Sequence, residues 1–310
     1  MASRRSLWRV AQWIAGATVI ALAVRALVRN WAELRSQPVA FELRPLQLAA
    51  SLALTWTMYV LLIAAWRAML TGWGQRLDPL NAARIWTVSN LGKYVPGKVW
   101  ALAGMTVMAQ RVGVAPWAAA ASAVVLQAIA IGTGAAVVGG AASVALESAR
   151  PGSRAALIFL MIASGIAVVL VLWPPVARRL LGFAGVDAAQ ARPPGASALA
   201  LGIAAGLVAW VGYGAALVLL AAGLLPDVHL DLATATGAFT ASYLAGLLAL
   251  IAPGGIGVRE SVMILLLQAP IGFAAATVLA LASRVLLTFA ELGAAAPFLV
   301  TSLRSPRATD

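Results

Sequence analysis

The chain has 310 residues, of which 62% are hydrophobic and only 10% are charged, and its mean hydropathy is +0.93. Soluble domains have about 45–50% apolar and about 25% charged residues, so composition excludes an ordinary soluble protein. It predicts an all-α integral membrane protein, a polytopic helical bundle. The net charge of +12 would suggest a nucleic-acid partner in a soluble chain, but the arginines are scattered singly and at predicted helix ends. Such arginines indicate topology control and contact with anionic lipid headgroups, not nucleic acid.

Apolar segments predict six membrane crossings and two interrupted hairpins. In chain order they are crossings near 8–28 and 46–70, a hairpin over 81–111, crossings near 116–141, 154–173 and 197–222, a hairpin over 232–268 and a last crossing near 272–301. The first crossing follows a basic start without a clear cleavage site, so we interpret it as a retained span rather than a signal peptide. No segment is long and polar enough for a separate soluble domain, so residues 1–310 form a single transmembrane domain.

An internal repeat relates the two halves of the chain. Trp56 and Tyr59 match Trp210 and Tyr213 at an offset of 154 residues. The pair Pro96-Gly97 in "SNLGKYVPGKVW" likewise matches Pro253-Gly254 in "SYLAGLLALIAPGGIG". The sequence therefore predicts two repeats, approximately residues 46–173 and 197–301, each with a Pro-Gly-broken re-entrant helix pair.

Loop charges favour repeats of inverted topology. The loop 176–196 is rich in arginine and is predicted to be cytoplasmic, together with both termini. The loop 223–231 carries acidic residues and no basic residue, which fits the opposite side. If the broken helices instead crossed the membrane fully, the halves would be parallel. The triplet Asp227, His229 and Asp231 in that loop has metal-binding residue types, but we interpret it as a solvated turn, and no metal or cofactor is predicted.

Each hairpin contains a helix break beside charged residues. Proline and glycine cannot continue a regular helix cheaply, and irregular backbone within a membrane must be buried in protein or line a watered cavity. A helix starting near Ile256 would direct free N–H groups at that cavity, and Arg259 in its first turn would add a phosphate-binding fork. Lys93, Lys98 and Arg259 are predicted to converge where the breaks meet. The alternative is that Pro96 merely starts a helix, with the lysines at the membrane interface.

The last crossing carries Arg284 and Glu291, which share a helical face two turns apart. Ionisable groups inside a membrane span are costly and are usually functional or paired. A substrate role and a structural ion pair with Glu260 or Lys98 both remain open. The predicted substrate-binding residues are Asn90, Lys93, Pro96, Gly97, Lys98, Pro253, Gly254, Gly255, Gly257, Arg259, Glu260, Arg284 and Glu291.

These motifs, "NLGKYVPGKVWALAG" with a later "APGGIGVRE" and an arginine in the last span, resemble the lysylphosphatidylglycerol synthase transmembrane region. This is the flippase-like domain family, which is related to the flippase half of the multiple peptide resistance factor. The resemblance spans essentially the whole chain. It implies a multi-pass protein of the bacterial inner membrane that moves lipids between leaflets, with neighbours in envelope biosynthesis. The aminoacyl-transferase domain of the resistance factor has no counterpart here, so the resemblance does not imply lysyl transfer.

The sequence therefore predicts a non-enzymatic lipid translocase for an anionic or phosphate-bearing lipid, such as a phospholipid or a polyprenyl-phosphate-linked sugar. The chain has no P-loop sequence, so it carries no motif for ATP hydrolysis. One alternative is a non-transporting partner of an envelope-lipid enzyme. Another is a membrane glycosyltransferase, for which Glu33 and Glu42 are the candidate bases.

Overall fold

The computed structural model describes residues 40–94, 100–145, 195–249 and 252–304. The predicted crossings near 8–28 and 154–173 lie outside these ranges, and so do Pro96, Gly97 and Lys98. The described part of the chain is helical and contains no strand, which confirms the predicted fold class at that level.

Eight α-helices and two short 3₁₀ turns make up the described residues. The helices are α1 (Pro45–Gly72), α2 (Pro79–Asn90), α3 (Trp100–Arg111), α4 (Pro116–Ala145), α5 (Ala196–Leu224), α6 (Leu232–Leu248), α7 (Val258–Ile271) and α8 (Phe273–Arg304). Turn A (Leu91–Tyr94) follows α2, and turn B (Pro253–Gly255) precedes α7. Proline occupies the first position of α1, α2 and α4, where its missing N–H costs nothing because no helical partner exists there.

Four of these helices, α1, α4, α5 and α8, are long and apolar enough to cross a membrane. They coincide with the crossings predicted near 46–70, 116–141, 197–222 and 272–301. At 1.5 Å per residue, the 12 residues of α2 or of α3 rise only about 18 Å, and the 14 residues of α7 about 21 Å. None of these three helices spans the roughly 30 Å of a hydrocarbon core.

Helices α1 and α5 pack antiparallel along their whole length. At one end the Arg44 N–H donates to the Gly223 carbonyl at 2.9 Å, and halfway along the rings of Tyr59 and Tyr213 lie 6.4 Å apart. At the other end a Cβ added to Gly72 would lie 3.5 Å from Cβ of Ala198. Together with α6 and α8, these helices enclose the main hydrophobic core.

Helix α4 runs in the same direction as α5. Ile129 of α4 packs at Gly202, and the Thr133 hydroxyl, one turn later, contacts Gly206 and accepts from the Trp210 indole N–H at 3.1 Å. Since α5 opposes α1, α4 opposes α1 as well. The segment between α1 and α4, which holds α2 and turn A, must then leave and return at one end of the bundle.

A hydrogen bond closes that end. The Gln75 side-chain carbonyl, just after α1, accepts from the Ala115 N–H, just before α4, at 2.8 Å. The rings of Trp73 and Trp117 pack beside it with centroids 5.6 Å apart. Helices α2 and α3 pack against each other inside this closed loop, and α6 and α7 also pack together.

Candidate functional site

The charged residues predicted from sequence gather around the middle of α8. Arg284 and Glu291 are the twelfth and nineteenth of its 32 residues, about 16 Å and about 27 Å from its first residue. Both are therefore far from either helix end. Groups at this depth must find partners within the protein.

Glu291 is held by turn A. Lys93 Nζ forms an ion pair with Oε1 of Glu291, and the Tyr94 hydroxyl donates to Oε2 at 2.8 Å. The Glu291 side chain is 6% exposed and that of Lys93 is 19% exposed. The ion pair therefore holds turn A against α8, and the two opposite charges neutralise each other.

Turns A and B contact each other through Tyr94 and Gly254. A Cβ added to Gly254 would lie 3.3 Å from the Tyr94 ring and 2.9 Å from Nη2 of Arg284, and the residue has φ of 58°. A side chain is therefore excluded both by space and by backbone conformation. Turn A, which precedes the first predicted break, therefore contacts turn B, while Pro96 and Gly97 lie outside the described residues and their approach to Pro253 and Gly254 stays a prediction.

Arg284 joins turn B to α7. Its Nη1 donates to the Gly254 carbonyl at 2.8 Å, and its Nε lies 3.7 Å from Oε1 of Glu260. Its Nη2 is buried and has no hydrogen-bond acceptor among the described residues. The guanidinium also lies 5.7 Å from the centroid of the Tyr94 ring. Arg284 therefore retains one unused donor group at the point where the broken segments meet.

Glu260 caps its own helix. Its Oε2 accepts from the Gly257 N–H at 2.6 Å, and Gly257 takes a φ of 83°, which favours glycine. The helix begins at Val258, two residues later than the expected start near Ile256. The expectation of free N–H groups at this terminus is therefore wrong for Gly257, because its N–H already donates to the carboxylate of Glu260.

Arg259 is buried against aromatic rings. It is 7% exposed, and its guanidinium carbon lies 4.7 Å from the centroid of Tyr243 and 5.7 Å from that of Phe239. No carboxylate of the described residues lies within ion-pairing distance of it. The cation is stabilised instead by ring faces, which attract positive charge.

A narrow crevice adjoins this arginine. It is lined by Arg259, Glu260, Met263, Ala280, Ser283 and Arg284 and encloses about 170 Å³ between atoms, including the part open to the outside. It has no room for a water molecule, so no larger anion fits into this crevice in the structure described.

Sequence reasoning named most of the residues gathered here. Within the described residues the structure brings together Lys93, Gly254, Gly255, Gly257, Arg259, Glu260, Arg284 and Glu291. Pro253 begins turn B, and Asn90 is the half-buried last residue of α2. Of the two ion pairs considered, Glu260 pairs with Arg284, and the partner of Glu291 is Lys93.

Three aromatic residues escaped the sequence analysis: Tyr94, Phe239 and Tyr243. Each lies in or beside a quoted motif, but an aromatic residue in an apolar sequence gives no sign that its ring will face a cation. That contact depends on how α6, α7 and turn A pack.

Of the remaining sequence candidates, Asp231 and Glu42 have structural roles. Asp231 caps α6 by accepting from the Thr234 N–H at 2.9 Å, and these hydrogen bonds hold the pKa of its carboxyl below the usual range. Among the described residues no group of three His, Cys, Asp or Glu side chains could hold a metal ion. Glu42 is exposed and pairs with Arg44 at 2.8 Å, while Glu33 lies outside the described residues.

The chain matches no protein-family model and no curated protein. The resemblance carried by the two broken motifs therefore remains a prediction from the sequence.

Proposed function

We propose that the protein is a membrane lipid translocase of the flippase-like kind that its motifs resemble. It moves an anionic or phosphate-bearing lipid between leaflets while the acyl or prenyl tail stays in the bilayer. The observation that carries this proposal is Arg259, a buried arginine without a carboxylate partner among the described residues, where two interrupted helices meet. Buried arginines normally pair with an anion, and a phosphate matches the guanidinium fork.

The charge balance of the cluster supports an anionic substrate. Three cations, Lys93, Arg259 and Arg284, face two carboxylates, Glu260 and Glu291. Among the described residues one positive charge is left over, in a part of the chain where net charge is costly. Arg259 and Arg284, whose Nη2 has no acceptor among the described residues, both line the crevice. A headgroup phosphate between α7 and α8 would pair with both.

Inverted repeats are part of the proposal. The matched helices α1 and α5 pack antiparallel, and the matched residues Tyr59 and Tyr213 contact each other at mid-length. Met58 of α1 also packs directly on Gly212, its counterpart at the same offset. Equivalent residues touch each other in this way on a two-fold axis, and antiparallel helices require that axis to lie in the membrane plane.

The ends of the bundle differ in charge. Arg67, Arg76, Arg84 and Arg111 lie at or near the end closed by Gln75, whereas Asp227 and Asp231 lie at the opposite end. We assign the basic end to the cytoplasm and the acidic end to the outside of a bacterial inner membrane. In this orientation α2 and α3 enter from the cytoplasmic side as a re-entrant pair and α6 and α7 enter from outside. An enzyme of envelope-lipid synthesis would then supply substrate at one face.

Lipid movement requires the closed crevice to open. Helix α7 carries Arg259 and Glu260 and is bounded by Gly257 and Gly272, both with φ above 80°. Helix α7 is joined to α8 by the 3.7 Å ion pair between Glu260 and Arg284, and to α6 by the Arg259 guanidinium, which lies over the Tyr243 ring. These contacts can be exchanged for a phosphate as α7 separates from α8.

The test is translocation by purified protein in liposomes, read as the dithionite-accessible fraction of a fluorescent phosphatidylglycerol, beside a thermal melt of each variant. Arg259→Ala should abolish movement while the protein stays folded, and Arg259→Lys should restore it only in part because a point charge lacks the fork. Lys98→Ala is expected to behave like Arg259→Ala. Arg44→Ala is the control, because Arg44 is exposed and paired only with Glu42.

Two outcomes would contradict the proposal. Full translocation by Arg259→Ala with a lowered melting temperature would leave Arg259 a purely structural role. Absence of movement by the wild-type protein, for anionic phospholipid and polyprenyl phosphate alike, would favour a non-transporting partner of an envelope enzyme.

A further inference from the structure

The two carboxylates of the cluster are held in different ways. Glu260 is fixed by the backbone N–H of Gly257, three residues away in the same helix start. Among the described residues, Glu291 is held by the side chains of Lys93 and Tyr94, which belong to turn A. When Glu260 exchanges its 3.7 Å ion pair with Arg284, its bond from the Gly257 N–H persists, because that bond is local to α7. Glu291 has no such backbone donor among the described residues, so it depends on side chains that a ligand can draw away.

Glu291 faces charged or titratable groups on several elements. Beyond Lys93 and Tyr94 on turn A, these are Arg259 on α7, Tyr59 on α1 and Tyr213 on α5. Arg284 lies two turns earlier on its own helix and pairs with Glu260. Among these groups the direct cation partner of Glu291 is Lys93. A phosphate held by Arg259 and Arg284 that also draws Lys93 away would leave the Glu291 carboxylate buried without its counter-charge, which is strongly unfavourable.

A proton resolves this conflict. With both carboxylates ionised, the described cluster carries one net positive charge, which a phosphodiester would neutralise. The Glu291 carboxylate would nevertheless have lost its paired cation, and a proton on Glu291 removes that unpaired buried charge. The Tyr94 hydroxyl can continue to donate to Oε2, which becomes the carbonyl oxygen of the neutral acid.

We propose that Glu291 is the proton-binding site of this protein, and that a proton on Glu291 and a lipid phosphate shared by Arg259, Arg284 and Lys93 together replace the Lys93–Glu291 ion pair. The proton adds to a carboxylate oxygen, and no covalent bond between heavy atoms breaks. This inference rests on the proposed translocase function and names its coupling ion. It makes the substrate a phosphate ester that enters with a proton.

Binding is tested first, apart from transport. Purified full-length protein in weakly buffered detergent with a pH indicator is titrated with dihexanoylphosphatidylglycerol below its micelle concentration. Parallel arms use glycerophosphoglycerol, the same phosphodiester without the acyl tails, and dihexanoylglycerol, which lacks the phosphate. The wild type should take up about one proton per phosphatidylglycerol bound, and its affinity should fall about tenfold per unit rise in pH. Equal uptake with glycerophosphoglycerol would assign the site to a soluble phosphate ester rather than a lipid.

Variants separate Glu291 from the other carboxylates. Glu291→Gln resembles the protonated side chain, so it should bind the lipid without proton uptake and with an affinity independent of pH. Glu260→Gln should retain proton uptake but lower the melting temperature through loss of the cap. Glu42→Gln, which removes an exposed carboxylate paired with Arg44, should behave like the wild type.

Several results would overturn the inference. These are lipid binding by the wild type without proton uptake, undiminished uptake in Glu291→Gln, and no phosphate-dependent binding at all. The pH dependence of the lipid affinity is measured on the wild type, so the proposal can be tested even if the Glu291→Gln protein does not fold. Proton-linked binding without movement in liposomes would refute the translocase and keep the proton site. Lipid movement without proton uptake would refute the proton site and keep the translocase.

Discussion

Each glycine of turn B and its flank meets a different requirement. Gly254 has φ of 58° and faces Nη2 of Arg284, and Gly255 has φ of 71° and would place a Cβ 2.8 Å from Cα of Gly246. Gly257 has φ of 83° and presents its N–H to the Glu260 carboxylate. The backbone of the motif "PGGIG" thus packs tightly on α6. Of the two charged residues that follow it, Arg259 contacts aromatic rings and Glu260 caps α7.

Gly246 on α6 makes room for Arg259. A Cβ added there would overlap Cγ of Arg259 and lie 2.9 Å from its Cδ. We predict that Gly246→Ala displaces the arginine from the Tyr243 ring, costs about 1–3 kcal/mol through overpacking, and abolishes lipid movement. The measurements are a thermal melt and the liposome assay.

The matched control is Gly104→Ala on α3. A Cβ added to Gly104 would lie 3.6 Å from Cβ of Ser89, an ordinary contact, and alanine is the better helix former, so stability should be unchanged or slightly higher. Equal effects of the two substitutions would show that the loss at Gly246 does not come from Arg259.

At the scale of elements, the cap of α6 should make its stability depend on pH. Since hydrogen bonds from Thr234 lower the folded pKa of Asp231, its stabilising effect is complete above the unfolded pKa of about 3.9. That effect is lost as pH falls through the folded value. We predict that Asp231→Ala lowers the free energy of unfolding by about 1 kcal/mol at neutral pH.

Asp231→Asn supplies the control, because asparagine caps a helix without titrating in this range. Melting temperatures measured from about pH 3 to about pH 7 should show the wild type approaching Asp231→Ala at the acid end. A constant difference between these two proteins over the whole range would contradict the role of the ionised carboxylate.

The antiparallel pairing of α1 and α5 makes a cross-linking prediction. Because the added Cβ of Gly72 would lie 3.5 Å from Cβ of Ala198, a double variant Gly72→Cys with Ala198→Cys should form a disulfide under mild oxidation. The chain has no native cysteine, so no competing thiol exists.

Gly72→Cys with Ala222→Cys is the corresponding negative control, since Ala222 lies at the opposite end of α5. Protease cleavage between the helices followed by non-reducing electrophoresis detects the link. A disulfide in the control pair, with none at Ala198, would indicate that the two helices run parallel.

For the whole molecule, the charge difference between the bundle ends predicts the orientation. Thr71 lies near the basic end and His229 at the acidic end, and both are exposed. In intact cells an impermeant maleimide should label His229→Cys and leave Thr71→Cys unlabelled until the membrane is permeabilised. The reverse pattern would invert the assigned orientation, and labelling of both from outside would conflict with antiparallel crossing by α1 and α5.

The sequence by itself determined the elements. Long apolar runs predicted α1, α4, α5 and α8 within a few residues, because a helix of that length and composition is stable only in the hydrocarbon of a membrane. Proline and glycine placed the break at turn B, since their backbone limits are local properties of the chain, while the break predicted at Pro96-Gly97 lies outside the described residues. The charged residues of the cluster were also visible, because an ionisable group in an apolar run is conspicuous whatever its partner.

Partners and directions were decided only by tertiary structure. The sequence could not tell whether Glu291 would pair with a lysine on turn A, or that Glu260 would cap its own helix. It could not place Arg259 on Tyr243, because a ring and a cation 16 residues apart meet only when α6 and α7 pack together. The antiparallel pairing of α1 and α5 was likewise undetermined, since apolar faces carry no directional signal and the choice depends on how small residues and large side chains fit across the whole contact.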